Sequence, residues 1–295
     1  MSELASVSVV GVGIMGSAIA TRLLGVGHRV TVFDLDAAKM MVMAEKGALK
    51  ADNAAGAMAA SDFIITSLNS AAIVRNAVFG PAGIAEKAHP DKMLIDMSAI
   101  DPVATKEMAI ELRSKTGMPW VDCPLSGGAP KALVGQLTIM AGGEPEDVEK
   151  ARKVMDSLCS NYTYMGPSGA GQTTKLANQI LCAIGFQAVA EAVRFAEAGG
   201  VDATKLPIAL AGGRADSHIL QEFGAKMACR DYTPTGRIDN MLKDLESAQA
   251  FASAKRLPLP ITSAISELHR LLVAANIGPE DSAAMMKYFD GFRSE

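Results

Sequence analysis

The sequence predicts an α/β domain built on a mostly parallel sheet, followed by an all-α domain, with one long helix joining them. Three observations predict this. The first half alternates short β-branched runs with helical stretches of roughly 10–15 residues, the pattern of a parallel sheet covered on both faces. Its strands read as continuous apolar runs rather than strict alternation, as burial on both faces requires. After Tyr162-Thr163-Tyr164-Met165 strand patterning stops and only helical spacing continues.

The elements follow in order. Val7-Ser8-Val9-Val10 is a β-branched first strand, and helical spacing runs from Ile14 to Val26 before Gly27 ends it. Arg29 to Phe33 is the second strand; Asp36 then caps a helix to about Glu45, which Gly47 stops. Residues 62–68 and 92–97 are further strands. Pro102 stands where a helix begins, and that helix ends near Gly117. Trp120-Val121-Asp122 and Leu137-Thr138-Ile139-Met140 add strands. A Pro-less apolar stretch from about Gly171 to Ala198 is the long helix; Lys175, Asn178, Gln187, Glu191 and Arg194 keep it from reading as a membrane span. Helices are expected near 203–212, 216–228, 238–256, 260–275 and 279–291. The boundary is placed at Pro167-Ser168-Gly169, giving domains 1–166 and 167–295.

Composition narrows the function. The 295 residues are 49% apolar but only 5% aromatic, so the core is aliphatic. A net charge of −4 with no basic block argues against nucleic acid as a partner. No run of about 18 uninterrupted apolar residues argues for a membrane span, and Glu3 precedes the first apolar run without a positive leader. Cys123, Cys159, Cys182 and Cys229 are scattered with no CxxC pair, which favours reduced thiols and a cytoplasmic protein. His28, His89, His218 and His269 have no ligand spacing, so no metal is expected. The apolar helical half should pair, as a homodimer or homotetramer.

Gly11-Val12-Gly13-Ile14-Met15-Gly16 is a GxGxxG between the first strand and its helix. In that place the first glycine permits the turn, the second admits a pyrophosphate to the backbone, and the third lets helix pack on strand. The helix N-terminus offers its N–H groups to phosphate. Asp34 ends the next strand 18 residues after Gly16, where a carboxylate accepts from both ribose hydroxyls and repels a 2′-phosphate. Leu35 follows, with no Arg nearby. A Rossmann-type domain binding NAD rather than NADP is the expectation; turn glycines and a helix-capping Asp34 are the bland alternative. Strand C-termini in such sheets are where ligands bind, which brings in Leu68, Asn69 and Ser98.

GVGIMG at 11–16, PLSGG at 124–128, GAGQTTKLANQ at 169–179 and KDL at 243–245 occur in an order and spacing that resemble the β-hydroxyacid dehydrogenases. The resemblance covers nearly the whole chain. Within the group, IDMSAI at 95–100, TKLANQ and GRIDNMLKDL resemble the tartronate semialdehyde reductases, and RDYTP at 230–234 with LPLP at 257–260 resembles the L-threonate dehydrogenases. Leu125 stands where the family often has Val, and Gln179 where it often has a second Asn.

The resemblance implies that Lys175 is the catalytic acid–base group. The residues support this: a lysine in the first turns of an apolar helix is disfavoured as a cation by the macrodipole and by desolvation. A snorkelling helix lysine is the alternative. Asn178, three residues on and on the same face, can bond the substrate hydroxyl or carboxylate, or be a packing Asn. The resemblance gives Ser126, Gly127 and Gly128 the substrate carboxylate, against a plain tight turn. It puts Lys243 near the nicotinamide, against a solvated helix lysine. Leu68, Asn69 and Ser98 line the NAD path by the same resemblance. The implied function is an NAD-dependent 3-hydroxy-acid dehydrogenase; an imine reductase of the same fold and a non-catalytic cofactor-binding relative are the alternatives, and Lys175 speaks against both.

Overall fold

The computed structural model describes residues 4–291. Its first half is a nine-stranded sheet. The strands are β1 (Ser6–Val10), β2 (Arg29–Phe33), β3 (Leu49–Lys50), β4 (Phe63–Thr66), β5 (Met93–Asp96), β6 (Trp120–Asp122), β7 (Leu125–Ser126), β8 (Leu137–Gly142) and β9 (Cys159–Gly166). The order β3-β2-β1-β4-β5-β6 is parallel throughout, the strand order of a dinucleotide-binding sheet. β8 then runs antiparallel to β6 and β7, and β9 parallel to β8. The sheet is therefore mostly parallel with an antiparallel turn-back that strand patterning could not orient, because direction comes from the connections.

Alternate residues face opposite layers. Val7, Val9, Phe63, Ile65, Met93, Ile95 and Val121 share one core with Ile19 and Leu23 of α1 (Ile14–Gly25). Val10, Ile64, Leu94 and Trp120 share the other with Met108 and Leu112. Apolar residues on both phases of the period make the continuous runs. α2 (Ala37–Glu45) begins at Asp36, whose side chain accepts from Ala38 N. α3 (Ala54–Ala59) and α4 (Ala71–Phe79), capped by Asn53 and Ser70, are short alanine-containing connections not among the expected helices. α5 (Pro102–Thr116) starts on its proline and ends on left-handed Gly117, as expected. α6 (Gly128–Leu133) and α7 (Pro145–Met155) complete this half.

The contacts divide the chain into one compact unit up to Lys175 and another from Leu176 onward. The sequence placed its boundary at 166/167; the contacts divide inside α8 (Ala170–Ala198) instead. The reason is a tether. Asp122, fully buried at the end of β6, accepts Gly169 N on Oδ1 at 2.8 Å and Gln172 N on Oδ2 at 3.0 Å. The opening turn of α8 thus belongs to the sheet. A Cβ at Gly171 would lie 2.4 Å from Met140 O, so the helix enters against β8 only because that residue has none.

The helical unit gathers Ala183, Val189, Ala190 and Val193 of α8 around Leu220, Phe223, Ile238, Leu245, Ile265, Leu272 and Met285. Its other helices are α9 (Leu206–Leu210), α10 (His218–Ala228), α11 (Ile238–Ala254), α12 (Pro260–Ala274) and α13 (Lys287–Asp290). Two expectations change. The 203–212 helix is a 3-10 turn, Ala203–Lys205, followed by α9, because Pro207 lies in its first turn and Gly212-Gly213 follow. The 279–291 helix is a 3-10 turn, Ser282–Met286, then the one-turn α13. Buried Asp281 starts it by accepting Ala283 N, while also accepting Thr235 N, Gly236 N and Lys226 Nζ. Among the described residues α8 is long and apolar enough to cross a membrane; Ala183, Ala190 and Val193 are nevertheless fully buried in the helical core.

Asp122 has a neighbour in register, Asp96 of β5. Asp96 is fully buried, and its Oδ2 has no partner. Burial pushes its carboxyl up to about 6, against hydrogen bonds from Ser98 and Thr66 that lower it. A carboxyl raised in the fold stabilises it below the ordinary carboxylate range, and that contribution, about 3 kcal/mol, is lost as pH rises through about 6. Asp96→Asn should therefore gain stability relative to the parent between about pH 4 and 7. Asp122→Asn should lose about 1–3 kcal/mol at neutral pH, because an amide nitrogen would face a backbone N–H. Urea unfolding across that range checks both signs.

Candidate active site

The three glycines of 11–16 differ physically. Gly11 is left-handed at φ +90°, and a Cβ on it would lie 2.5 Å from Ser67 O. A Cβ on Gly16 would lie 1.8 Å from Gly11 O. A Cβ on Gly13 would meet nothing within 4 Å. The first and third glycines are thus required by the turn and by helix packing. Gly13 borders open space at the N-cap of α1, where no side chain caps the helix and no acidic residue occupies the first turn. That is the cradle a pyrophosphate needs: close backbone, exposed N–H groups and no methyl in the way. Ile14 is 83% exposed beside it, and Met15 is half-buried.

Asp34 fixes this loop. Its Oδ2 accepts Val12 N at 2.8 Å and its Oδ1 accepts Asp36 N at 2.9 Å. The helix cap is Asp36, not Asp34, so the bland alternative for Asp34 does not describe it. Leu35 next to it is 92% exposed, and Lys39 is paired with Asp36 at 3.6 Å.

The strand ends form a row in register, Phe33, Val10, Thr66, Asp96 and Asp122. Ser98 follows it and is buried. Its hydroxyl accepts Leu68 N at 3.0 Å, its own N–H goes to Asp96 Oδ1, and its carbonyl accepts Gln172 Nε2 at 2.8 Å. Gln172 also accepts Ile100 N. Ser98 therefore knots the ends of β4 and β5 to α8. Leu68 is half-buried over Gly11, and Asn69 is exposed. Thr66, Asp96, Asp122 and Gln172 are functional-site neighbours that carry no motif of their own. A polar residue closing each of three successive apolar strands was the available signal.

Ser126 ends β7, and Gly127 and Gly128 turn the chain with φ of 120° and 68°. Lys175 lies in the second turn of α8, half-buried, in the unit that holds the sheet. Asn178 is three residues further along the same helix, in the helical unit. There its Nδ2 donates to Gln179 Oε1 at 2.9 Å, and Gln179 Nε2 donates to Asp244 Oδ2 at 2.6 Å. Lys243 Nζ is 3.3 Å from Asp244 Oδ1, with 48% of its side chain exposed. Asp244 thus accepts from Gln179 on one oxygen and pairs with Lys243 on the other. The histidines stay apart: His28 and His269 are buried, and burial lowers both.

A family model described as the NAD binding domain of 6-phosphogluconate dehydrogenase matches residues 6–166. A second, described as NAD-binding of NADP-dependent 3-hydroxyisobutyrate dehydrogenase, matches residues 169–289. The chain belongs to the β-hydroxyacid dehydrogenase family. This β-hydroxyacid dehydrogenase is 34% identical over 278 residues to 2-hydroxy-3-oxopropionate reductase of Escherichia coli K12, which spans 94% of each chain. It is 33% identical over 288 residues to 3-sulfolactaldehyde reductase of the same organism, spanning 96% of this chain and 95% of that one. The solved Mycobacterium tuberculosis 3-hydroxyisobutyrate dehydrogenase with L-serine matches at a TM-score of 0.89 and 26% identity, over 97% and 99% of the two chains. Membership makes the protein an NAD(P)-dependent oxidoreductase of the 3-hydroxy-acid type, acting on CH–OH groups.

The glycines give a direct test. Gly13→Ala should keep the parental melting temperature yet weaken dinucleotide binding roughly ten-fold or more, about 1.4 kcal/mol. Gly16→Ala should lower the melting temperature itself. Calorimetric unfolding and NAD titration of both variants separate a binding glycine from a packing glycine.

Proposed function

We propose that this β-hydroxyacid dehydrogenase interconverts a small 3-hydroxy acid and its 3-oxo acid or semialdehyde, with NAD preferred and Lys175 as the general acid–base group. The observation that carries it is the placement of Lys175 one turn beyond the Asp122 tether, on the helix that also carries Asn178. The relatives' names support the substrate class: 2-hydroxy-3-oxopropionate and 3-sulfolactaldehyde are both three-carbon aldehydes bearing an anionic group. Glycerate is the reduced form of the first of these, and a four-carbon sugar acid lengthens it by one carbon.

In this reading Lys175 takes the hydroxyl proton during oxidation and returns it to the carbonyl oxygen during reduction. Asn178 holds the reacting end of the substrate. Ser126, Gly127 and Gly128 take the carboxylate, their consecutive left-handed glycines exposing backbone N–H groups. Gly11, Gly13, Ile14, Met15 and Gly16 hold the pyrophosphate. By resemblance Leu68, Asn69 and Ser98 line the NAD path, and Lys243 serves the nicotinamide. The bound nicotinamide supplies the hydride acceptor or donor. Asp34 supports NAD: an anion fixed by Val12 N and Asp36 N repels a 2′-phosphate, and Leu35 supplies no countercharge. An imine reductase is disfavoured because Lys175 stands where resemblance implies Asp or Tyr in those enzymes.

A homodimer or homotetramer in the cytoplasm completes the proposal. The helical unit exposes Leu181, Phe195 and Ile208 at 71%, 83% and 81%. It also has an open groove of about 700 Å³ lined by Ala188, Ala192, Phe195, Val201 and Leu206. Exposed apolar surface of this kind is covered in stable oligomers.

Lys175→Ala should lower kcat about 10²–10⁴-fold with NAD affinity nearly unchanged. Lys175→Arg should not restore it, since arginine keeps its proton. In oxidation, kcat/KM should fall toward low pH, where Lys175 is protonated and cannot accept. Steady-state kinetics and NAD titration decide this, and retention of most activity in Lys175→Ala would remove the assignment. Light scattering at micromolar concentration should give at least twice the monomer mass, whereas a monomer would refute the assembly.

A further inference from the structure

Asn178 and Gln179 form a chain of amides whose direction is set from one end. An ionised carboxylate only accepts, so Asp244 fixes Nε2 of Gln179 toward itself, at 2.6 Å. Gln179 must then turn Oε1 away from Asp244, and that oxygen accepts Asn178 Nδ2 at 2.9 Å. Lys243 Nζ lies 3.3 Å from the other Asp244 oxygen, on the side away from Gln179's donor. The remaining donor capacity is also used. Asn178 Nδ2 lies 3.6 Å from Cys182 Sγ, and Gln179 Nε2 lies 4.0 Å from Met241 Sδ. An amide nitrogen carries two hydrogens, so neither side chain retains one for a ligand. What Asn178 can still offer is the carbonyl oxygen, Oδ1.

We propose that Gln179 is a positioning residue that sets the polarity of Asn178, so that Asn178 meets the hydroxyl of a hydroxy acid and not its carboxylate. The inference rests on the reading of Asn178 as substrate-facing and narrows it. The carboxylate, an acceptor, would find an acceptor in Oδ1 and be repelled. A hydroxyl donates to it. The residue at 179 is therefore part of substrate choice: a side chain there must accept from Asn178 and donate to Asp244 together, which an amide does and a carboxylate or aliphatic residue does not.

The test reads binding, not turnover. With saturating NADH, 3-hydroxypropionate and propionate form non-reacting ternary complexes whose Kd values calorimetry can compare. The parent should bind 3-hydroxypropionate more tightly. Asn178→Ala and Gln179→Met should each raise its Kd roughly three- to ten-fold, the worth of one neutral hydrogen bond, and leave propionate unchanged. The double variant should be no weaker than Asn178→Ala alone, because Gln179 acts through Asn178. Asp244→Ala, which removes the acceptor that starts the chain, should reproduce Gln179→Met and serves if the latter melts early. Equal losses for both ligands in Asn178→Ala would place Asn178 on the carboxylate and overturn the proposal. So would additive losses in the double variant. If Asn178→Ala moves neither ligand while Lys175→Ala still abolishes turnover, the relay fails and the proposed reaction stands.

Discussion

The Asp122 carboxyl, at the C-terminal end of β6, is the contact on which the entry to α8 depends. It accepts the N–H groups of Gly169 and Gln172 at the entry to α8, so the helix that carries Lys175 starts from a fixed point on the sheet. Burial pushes this carboxyl up, while the backbone N–H bonds oppose the shift. That opposition is the physical content of the tether: a buried charge is tolerable where its oxygens are satisfied, and costly where they are not. Asp96 one strand over shows the cost, with an oxygen that nothing satisfies.

In the proposed site the same edge serves the dinucleotide. A parallel sheet ends all its strands on one side, and β1, β4, β5 and β6 bring Val10, Thr66, Asp96 and Asp122 level there. The glycine loop follows β1, and Ser98 and Gln172 bind the neighbouring ends together. Gly11 and Gly16 are spent on the shape of this loop; Gly13 is the glycine whose missing side chain faces outward. Asp34 then closes it from β2. The proposed cofactor site and the entry to α8 are thus built on one line of strand termini.

How much of this was legible in the sequence depended on the kind of interaction. Strand and helix order could be read because burial on two faces imposes composition on the central strands, as in FIIT and MLID. The family motifs could be read because glycines and a lysine at fixed spacing are local features. The direction of β8 could not, since it is decided by which strands its connections reach. The two family models part at Pro167-Ser168, as the sequence expected, whereas the contacts divide further on, inside α8, because Gly169 donates to Asp122, 47 residues away in sequence. The helix expected at 279–291 shortened because Asp281 is committed to Thr235 and Gly236, a pairing no periodicity encodes. Gln179 stood out in the sequence only as a departure from the family, and its contact with Asp244 supplied a reason for it.

Hydride exchange between a nicotinamide and a small 3-hydroxy acid is the central claim, and the absorbance of reduced nicotinamide reads it most directly. A panel of three- and four-carbon 3-hydroxy acids, D-glycerate and L-threonate among them, would be presented with NAD and with NADP. The account predicts reduction of NAD by at least one acid of the panel, with a higher kcat/KM for NAD than for NADP. No reduction with any acid, in a protein that binds the dinucleotide, would contradict the proposed reaction, and a higher kcat/KM for NADP would contradict the role given to Asp34.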